Sequence, residues 1–324
     1  MTKVTIIVPC YNEEDNVKPM AGMLSMVMSK LSQYDYEIVF RDNGSQDLTA
    51  KRLKEVAKDN KHIKAIINSR NYGVFPEKNT FKGHVSGDVI ISIACDFQEP
   101  PELIPEFLSW YEKGCEIVAG QKTSSKEGKI KYGLRQIYYK IIDLFSDCPR
   151  IPNMSGIFLA SRRVMETYWS GYKYQTMDHF IADMGLDVKL IQYEQQKRKS
   201  GKSSYNIWRY LSFSITSLVQ TSTVPLRIAT VAGLILAIFS FIVGIVYLVM
   251  KIIWWDMFSA GMTPVLIGLF FLGSIQLLFI GLVGEYVGQI LKISLPDNPP
   301  AIRELINYES TNEEDFVMIG QDHI

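Results

Sequence analysis

The amino-acid sequence predicts an α/β fold with a mostly parallel sheet, followed by two membrane-spanning helices. Three observations carry this expectation. Short β-branched runs alternate with amphipathic stretches through the first half of the chain. Residues 1–205 have the mixed composition of a water-soluble protein, and residues 228–284 are almost purely apolar. The 324 residues leave room for one α/β domain of about 200 residues plus an appendage.

Strands are expected at Val4–Val8, Glu37–Phe40, Ile63–Ile67, Val89–Ile93 and Glu116–Ala119, with helices at Val17–Leu31, Leu48–Asp59 and Glu77–Val85 separating the first four. That β-α-β-α order calls for parallel strands covered on both faces. Open sheets of this kind take ligands at the carboxyl ends of their strands, so chemistry is expected just after each apolar run.

Ile228–Met250 and Met257–Gly284 carry no charged residue. At about 1.5 Å per residue the shorter stretch reaches roughly 35 Å, enough for a hydrocarbon core of about 30 Å. Trp254, Trp255 and Phe258 lie between the two, where an aromatic belt would sit. Arg209 and Arg227 precede the pair, Lys292 and Arg303 follow it, and Lys251 is the single cation between; this bias places both chain ends in the cytoplasm. Ile207, Leu211, Ile215 and Leu218 form one stripe of a helix suited to the membrane surface. The divisions are therefore 1–205, a cytoplasmic α/β domain; 206–226, amphipathic juxtamembrane helices; 227–291, two spans; and 292–324, an acidic, solvated tail.

Formal net charge is +0, so bulk charge does not suggest nucleic-acid binding. Locally, Lys122, Lys126, Lys129, Lys131, Arg135 and Lys140 share their stretch with Glu127 alone. Cys10, Cys95, Cys115 and Cys148 stand in separate segments without CxxC spacing, as free thiols of a reducing compartment do. His62, His84 and His179 show no ligand spacing.

Pro9-Cys10-Tyr11-Asn12-Glu13-Glu14 follows the first strand and Asp42-Asn43-Gly44-Ser45 the second. A carboxylate there can accept hydrogen bonds from a base N–H or ribose hydroxyls, a flat Tyr11 can line a base pocket, and Gly44 allows close backbone approach. The same residues read equally as a helix cap and an ordinary turn. After the fourth strand, Asp96 stands where a hard divalent cation on a diphosphate could be held, since Mg²⁺ takes one or two protein carboxylates plus phosphate oxygens and waters.

Taken together with Ser69-Arg70-Asn71-Tyr72-Gly73, Asp96-Phe97-Gln98-Glu99-Pro100-Pro101-Glu102 and Arg198-Lys199-Ser200-Gly201-Lys202-Ser203-Ser204-Tyr205, these motifs give the chain a resemblance. From Val4 to about Pro299 it resembles glycosyltransferase family 2, and within it the dolichyl-phosphate-mannose-synthase-like enzymes that glycosylate polyprenyl phosphates. The resemblance implies a GT-A type, Rossmann-like fold, Mg²⁺ or Mn²⁺, and inverting transfer of one sugar from a nucleotide-sugar, UDP-linked, to a polyprenyl phosphate such as undecaprenyl phosphate. It places Pro9, Tyr11, Asn12, Glu13, Asp42, Asn43, Gly44, Arg70 and Asn71 around the nucleotide-sugar, and Asp96 and Gln98 on the metal. Lys122, Arg135, Arg198, Lys202, Ser203 and Tyr205 fall to the acceptor phosphate, with Arg135 and Arg198 joining Asp96 and Gln98 in catalysis. Relatives suggest a homo-oligomer, a tetramer. The expected location is the inner, cytoplasmic membrane.

The chain also departs from the pattern. Ala94 replaces the first carboxylate of Asp-x-Asp, Asn43 stands where a second Asp is common, Ser155-Gly156-Ile157-Phe158 lacks the Asp many members have, and Ser204 replaces a Lys. Two other readings follow: a processive polysaccharide synthase, which Gln195-Gln196-Lys197-Arg198-Lys199 opposes by lacking the Trp of Gln-x-x-Arg-Trp, and a non-catalytic scaffold.

Overall fold

The structure, a computed structural model, describes residues 1–73, 80–124, 151, 153–170, 176–196, 223–253, 262–294 and 300–308. These fall into two compact units, an α/β unit and a pair of long helices.

The α/β unit is built on one eight-stranded sheet. Its strands are β1 (Lys3–Cys10), β2 (Asp35–Asp42), β3 (Ile63–Asn68), β4 (Val89–Ser92), β5 (Ile117–Ser124), β6 (Met154–Ser161), β7 (Lys189–Glu194) and β8 (Ile302–Ile306). Their order is β7-β5-β6-β4-β1-β2-β3-β8. β1 pairs in parallel with β2 and β4, β2 with β3, and β5 with β7, whereas β6 runs against β4 and β5, and β8 against β3. The mostly parallel α/β expectation therefore holds. The carboxyl ends of β1–β5 and β7 share one edge of the sheet, and the first residues of β6 and β8 arrive at that same edge.

The central strands are apolar on both faces because both are covered. On one side α1 (Val17–Ser29) buries Val17, Met20, Ala21, Leu24, Val27 and Met28, a stripe of helical period. There α2 (Thr49–Asp59) adds Leu53 and Ala57, and α3 (Ile104–Glu112) adds Ile104, Phe107 and Leu108 against Val4, Ile6, Val8, Ile38 and Phe40. A short 3₁₀ turn at Pro101–Leu103 leads into α3, and Pro at the first positions suits a helix start, where no intrahelical N–H is needed. On the other side α4 (Arg162–Ser170) and α5 (Met177–Asp183) pack Val164, Met165, Trp169, Phe180 and Ile181 against Ile7, Val39, Ile66 and Ile90.

Two expectations are corrected in this unit. The segment expected as a helix at Glu77–Val85 is helical only to Phe81 within the described residues; residues 82–84 turn, with Gly83 at φ 82°. The tail expected as solvated contributes β8. Ala65 pairs with Ile306 and Ile67 with Glu304, Lys54 reaches Glu304 at 2.7 Å, and Asn307 donates to the carbonyls of Ala57 at 2.6 Å and Ile63 at 2.8 Å. Satisfying the edge of β3 and the end of α2 recruits a segment whose composition alone reads as exposed.

The second unit contains α6 (Val224–Ile253) and α7 (Met262–Ser294). Both are long and apolar enough to cross a membrane. Their apolar side chains face outward, with Phe241 70% and Leu277 70% exposed. The first expected span lies inside α6. The second expected span falls on α7 from Met262 onward, residues 257–261 lying outside the described residues, and α7 continues past Glu285 and Lys292. The juxtamembrane stripe at 207–218 and the belt at 254–258 lie outside the described residues.

Candidate active site

The loops after β1 and β2 are stitched to each other. Asn12 sits at φ 54°, which Asn tolerates better than most residues. Its amide donates to Ser45 Oγ at 2.8 Å, and its Oδ1 accepts from Gln46 N at 2.9 Å. Glu13 is 6% exposed; its amide donates to Thr49 Oγ1 at 2.8 Å and its carboxylate accepts from Asn16. Glu13 thus ties the two loops together from within, and Tyr11 and Asn12 keep the more open positions.

Asp42, the last residue of β2, is 0% exposed. Its Oδ1 accepts from the amide and hydroxyl of Ser45, while its buried Oδ2 has no hydrogen-bond partner among the described residues. Burial pushes its carboxyl above the usual range, against the Ser45 hydrogen bonds and the Arg303 charge, which act the other way. An unsatisfied buried carboxylate oxygen is costly in isolation and suits a donor supplied by a ligand.

Asn43 organises the neighbouring loop. Its Nδ2 donates to Gly73 O at 2.8 Å and Asn71 Oδ1 at 3.2 Å, and its Oδ1 accepts from Tyr72 N at 3.2 Å and Asn68 Nδ2 at 3.3 Å. A carboxylate could not make the two donations, which gives a physical reason for Asn here. Arg70 stacks over the Tyr72 ring at 4.5 Å. β8 completes this corner: Ser69 N donates to Ala301 O at 2.9 Å, and Ala301 N to Tyr72 Oη at 3.2 Å. Gly44, at φ 69°, has no room for a side chain; a Cβ would lie 2.4 Å from the carbonyl carbon of Arg70.

The loop after β4 alternates. Ala94, Asp96 and Gln98 are half-buried, and Cys95, Phe97 and Glu99 are buried. Phe97 takes φ 59°, and Gln98 N donates to Asp96 Oδ1 at 3.1 Å, so the loop turns tightly around Asp96. The end of β7 grips it, with Gln195 Nε2 donating to Gln98 Oε1 at 2.9 Å and Gln196 N to Gln98 O at 3.1 Å. Lys122 on β5 is close enough for its charge to act on Glu99. Burial raises the Glu99 carboxyl, and the nearby Asp96 adds to this.

Among the described residues no three His, Cys, Asp or Glu side chains cluster to enclose a metal. Asp96 and Gln98 supply hard oxygen donors on the accessible side of one loop. That set fits Mg²⁺ or Mn²⁺ if phosphate oxygens and water complete the coordination. The structure thus gathers Tyr11, Asn12, Asp42, Asn43, Gly44, Arg70 and Asn71 at the ends of β1–β3, and Asp96, Gln98 and Lys122 at the ends of β4 and β5. Arg135, Arg198, Lys202, Ser203 and Tyr205 lie outside the described residues. Sequence reasoning missed Gln195, Ala301 and the inward role of Glu99; the period-two alternation of burial after β4 is the signal that could have flagged the last.

The sheet is that of a GT-A type, Rossmann-like α/β fold. The chain belongs to glycosyl transferase family 2, whose domain matches residues 5–169. It is 30% identical over 293 residues to the putative glycosyltransferase CsbB of Bacillus subtilis, covering 89% of this chain and 87% of that one. It is 29% identical over 290 residues to the prophage bactoprenol glucosyl transferase homolog of Escherichia coli, covering 89% and 94%. It is 26% identical over 295 residues to the undecaprenyl-phosphate 4-deoxy-4-formamido-L-arabinose transferase of Proteus mirabilis, covering 90% of each. Among solved structures, mannosyl-3-phosphoglycerate synthase from Rubrobacter xylanophilus is similar with a TM-score of 0.47 and 17% identity, over 67% of this chain and 72% of that one.

Proposed function

We propose that the protein transfers one sugar, with inversion, from a UDP-linked nucleotide-sugar to a polyprenyl phosphate such as undecaprenyl phosphate at the cytoplasmic face of the membrane. The observation that carries this reading is the extent of the likeness. Relatives named for bactoprenol and undecaprenyl phosphate align along 89–90% of this chain, a share that cannot omit both apolar helices. An acceptor whose hydrocarbon tail stays in the bilayer requires a catalytic domain tethered there.

The residues divide the work. Asp42 Oδ2 accepts from the nucleotide, Tyr11 lines the base, and the Asn43-ordered loop presents Arg70 and Asn71 to the donor; Pro9, Asn12 and Glu13 shape the pocket. Asp96 and Gln98 would hold Mg²⁺ or Mn²⁺, which when bound neutralises charge on the departing diphosphate. Lys122, Arg135, Arg198 and Lys202, with Ser203 and Tyr205, position the acceptor phosphate. A phosphate monoester loses its second proton near pH 6 (roughly), so at neutral pH the acceptor is already a nucleophile. Its oxygen bonds to the anomeric carbon, the bond from that carbon to the diphosphate breaks, and the nucleoside diphosphate leaves. Orientation and fixed charge then suffice without a protein base. Both chain ends face the cytoplasm, as the flanking cations favour, the chains assemble as a homo-oligomer, and the lipid-linked sugar serves envelope modification.

The test is to incubate the purified full-length protein with undecaprenyl phosphate, Mn²⁺ and a panel of nucleotide-sugars, and to weigh the lipid product. One added hexose per lipid supports the reading. A polymer would favour a processive synthase, and no product with any donor would favour a non-catalytic scaffold.

A further inference from the structure

Glu99 has no role in the reaction set out above, yet the residue is 4% exposed and each of its carboxylate oxygens accepts a backbone hydrogen bond. Oε2 accepts from Ala94 N at 3.2 Å and Oε1 from Ile157 N at 3.0 Å. One amide opens the loop that carries Asp96; the other lies near the start of β6, 58 residues away from Glu99 in sequence. Neither Ala94 nor Ile157 brings a polar side chain of its own.

We propose that Glu99 is the positioning residue for Asp96 and Gln98: a buried carboxylate that clamps the 94–99 loop to β6 and so fixes where their oxygens meet a divalent cation on a diphosphate. The proposal rests on the nucleotide-sugar reading and adds to it a residue that touches neither substrate nor metal.

Four features of the structure support the clamp. First, the loop does not hold its shape by local preference. Phe97 is a buried, bulky residue at φ 59°, a left-handed conformation that is unfavourable for such a side chain and persists only where the surroundings impose it. Second, burial alternates strictly, so Glu99 pulls from the inner side while Asp96 and Gln98 present to the accessible side. Third, β6 leaves space for the clamp. A Cβ at Gly156 would come 3.2 Å from Glu99 Oε1, tighter than ordinary contact. Fourth, only a carboxylate offers acceptors at both ends. A glutamine would turn its NH₂ toward one of the two amide donors, and an aspartate is one methylene too short to span both.

The experiment measures Mn²⁺ affinity by electron paramagnetic resonance in the presence of UDP, on full-length wild type, Glu99→Gln, Glu99→Asp and the surface control Glu102→Gln. Thermal unfolding without metal or nucleotide is recorded in parallel. Both Glu99 variants should bind Mn²⁺·UDP at least about tenfold more weakly, as loss of one charge-assisted buried hydrogen bond entails, and Glu102→Gln should bind as wild type does. Variants that lose thermal stability yet bind Mn²⁺·UDP with wild-type affinity when folded would show a merely structural carboxylate and overturn the proposal. Should the Glu99 variants fail to fold, Gly156→Ala decides. It crowds Oε1 without removing the carboxylate and should weaken Mn²⁺·UDP severalfold, whereas unchanged affinity would overturn the proposal. Wild type that binds no Mn²⁺ with UDP would count instead against the nucleotide-sugar reading.

Discussion

Gly44→Ala is a sharp perturbation of the corner proposed to hold the donor, because the added methyl meets backbone rather than a movable side chain. Its Cβ would lie 2.4 Å from the Arg70 carbonyl carbon, 2.6 Å from its Cα and 2.8 Å from its oxygen. Restoring van der Waals contact needs a backbone shift of roughly 1 Å, since carbon atoms settle about 3.5–4.0 Å apart. That shift pulls the 69–73 loop from Asn43, whose bonds to Asn71, Tyr72 and Gly73 run from 2.8 to 3.2 Å. Losing two of these at about 1 kcal/mol each, plus about 1 kcal/mol for a left-handed alanine, sums to roughly 3 kcal/mol. For a domain of this size that is a fall in Tm of roughly 6–12 °C. UDP affinity by calorimetry should fall at least about tenfold, because Arg70 and Asn71 move with the loop and about 1.4 kcal/mol of lost binding suffices for that factor. A variant with wild-type Tm and UDP affinity would refute both the packing argument and the assignment of this corner to the donor.

The remaining expectations concern the metal loop, acid stability and topology. Asp96→Asn should lower turnover by at least about a hundredfold at ordinary Mn²⁺, since the metal's charge stabilisation amounts to several kcal/mol; unchanged rates across a Mn²⁺ titration would defeat its assignment. Glu37 is buried, which by itself disfavours its charge, but hydrogen bonds from Lys64 Nζ, Thr5 Oγ1 and Ser86 N prevail and hold it at about 2, below the usual 4.5. Because the folded value is the lower one, its contribution of about 3 kcal/mol is present above pH 5 or so and is lost as pH falls toward roughly 2. Glu37→Gln should therefore lower Tm at pH 7 and flatten the acid limb, and an unaltered limb in chemical denaturation would contradict this. Finally, with the native cysteines replaced, Ser259→Cys and Ser310→Cys should label from opposite membrane faces, and labelling from one face would rule out two spans.

The parts of the fold legible in the sequence are those where local pattern and tertiary role agree. β1 to β4 are centred on apolar, β-branched runs because both faces are covered, and each is followed by a polar motif at the carboxyl edge, where an open sheet takes ligands. β6 reads poorly because Gly156 interrupts it, and that glycine answers to Glu99 rather than to strand propensity. β7 mixes lysine, glutamine and glutamate with three apolar residues at the sheet's margin, and β8 hides in an acidic tail. Edge strands owe their existence to a neighbour's unpaired backbone, which composition does not encode. The site follows the same division. Asp42, Asn43, Gly44, Asp96 and Gln98 stand at or just after the ends of strands, at the carboxyl edge where open α/β sheets take ligands. Glu99 passes as one more polar residue before a pair of prolines until its burial is seen.

The eighth strand also sets an order of events. Ala301 meets Tyr72 across 229 residues of chain, and that interval contains both apolar helices. At about 5–20 residues per second, ribosomal synthesis of that interval takes roughly 10–45 s. During this time β3 is a bare edge and the corner that orders Arg70 lacks its last hydrogen bonds. Both helices are therefore synthesised before that corner can close, and the sheet is finished only by chain that emerges after them. Completion of the α/β sheet in this way waits on the last stretch of chain to be made.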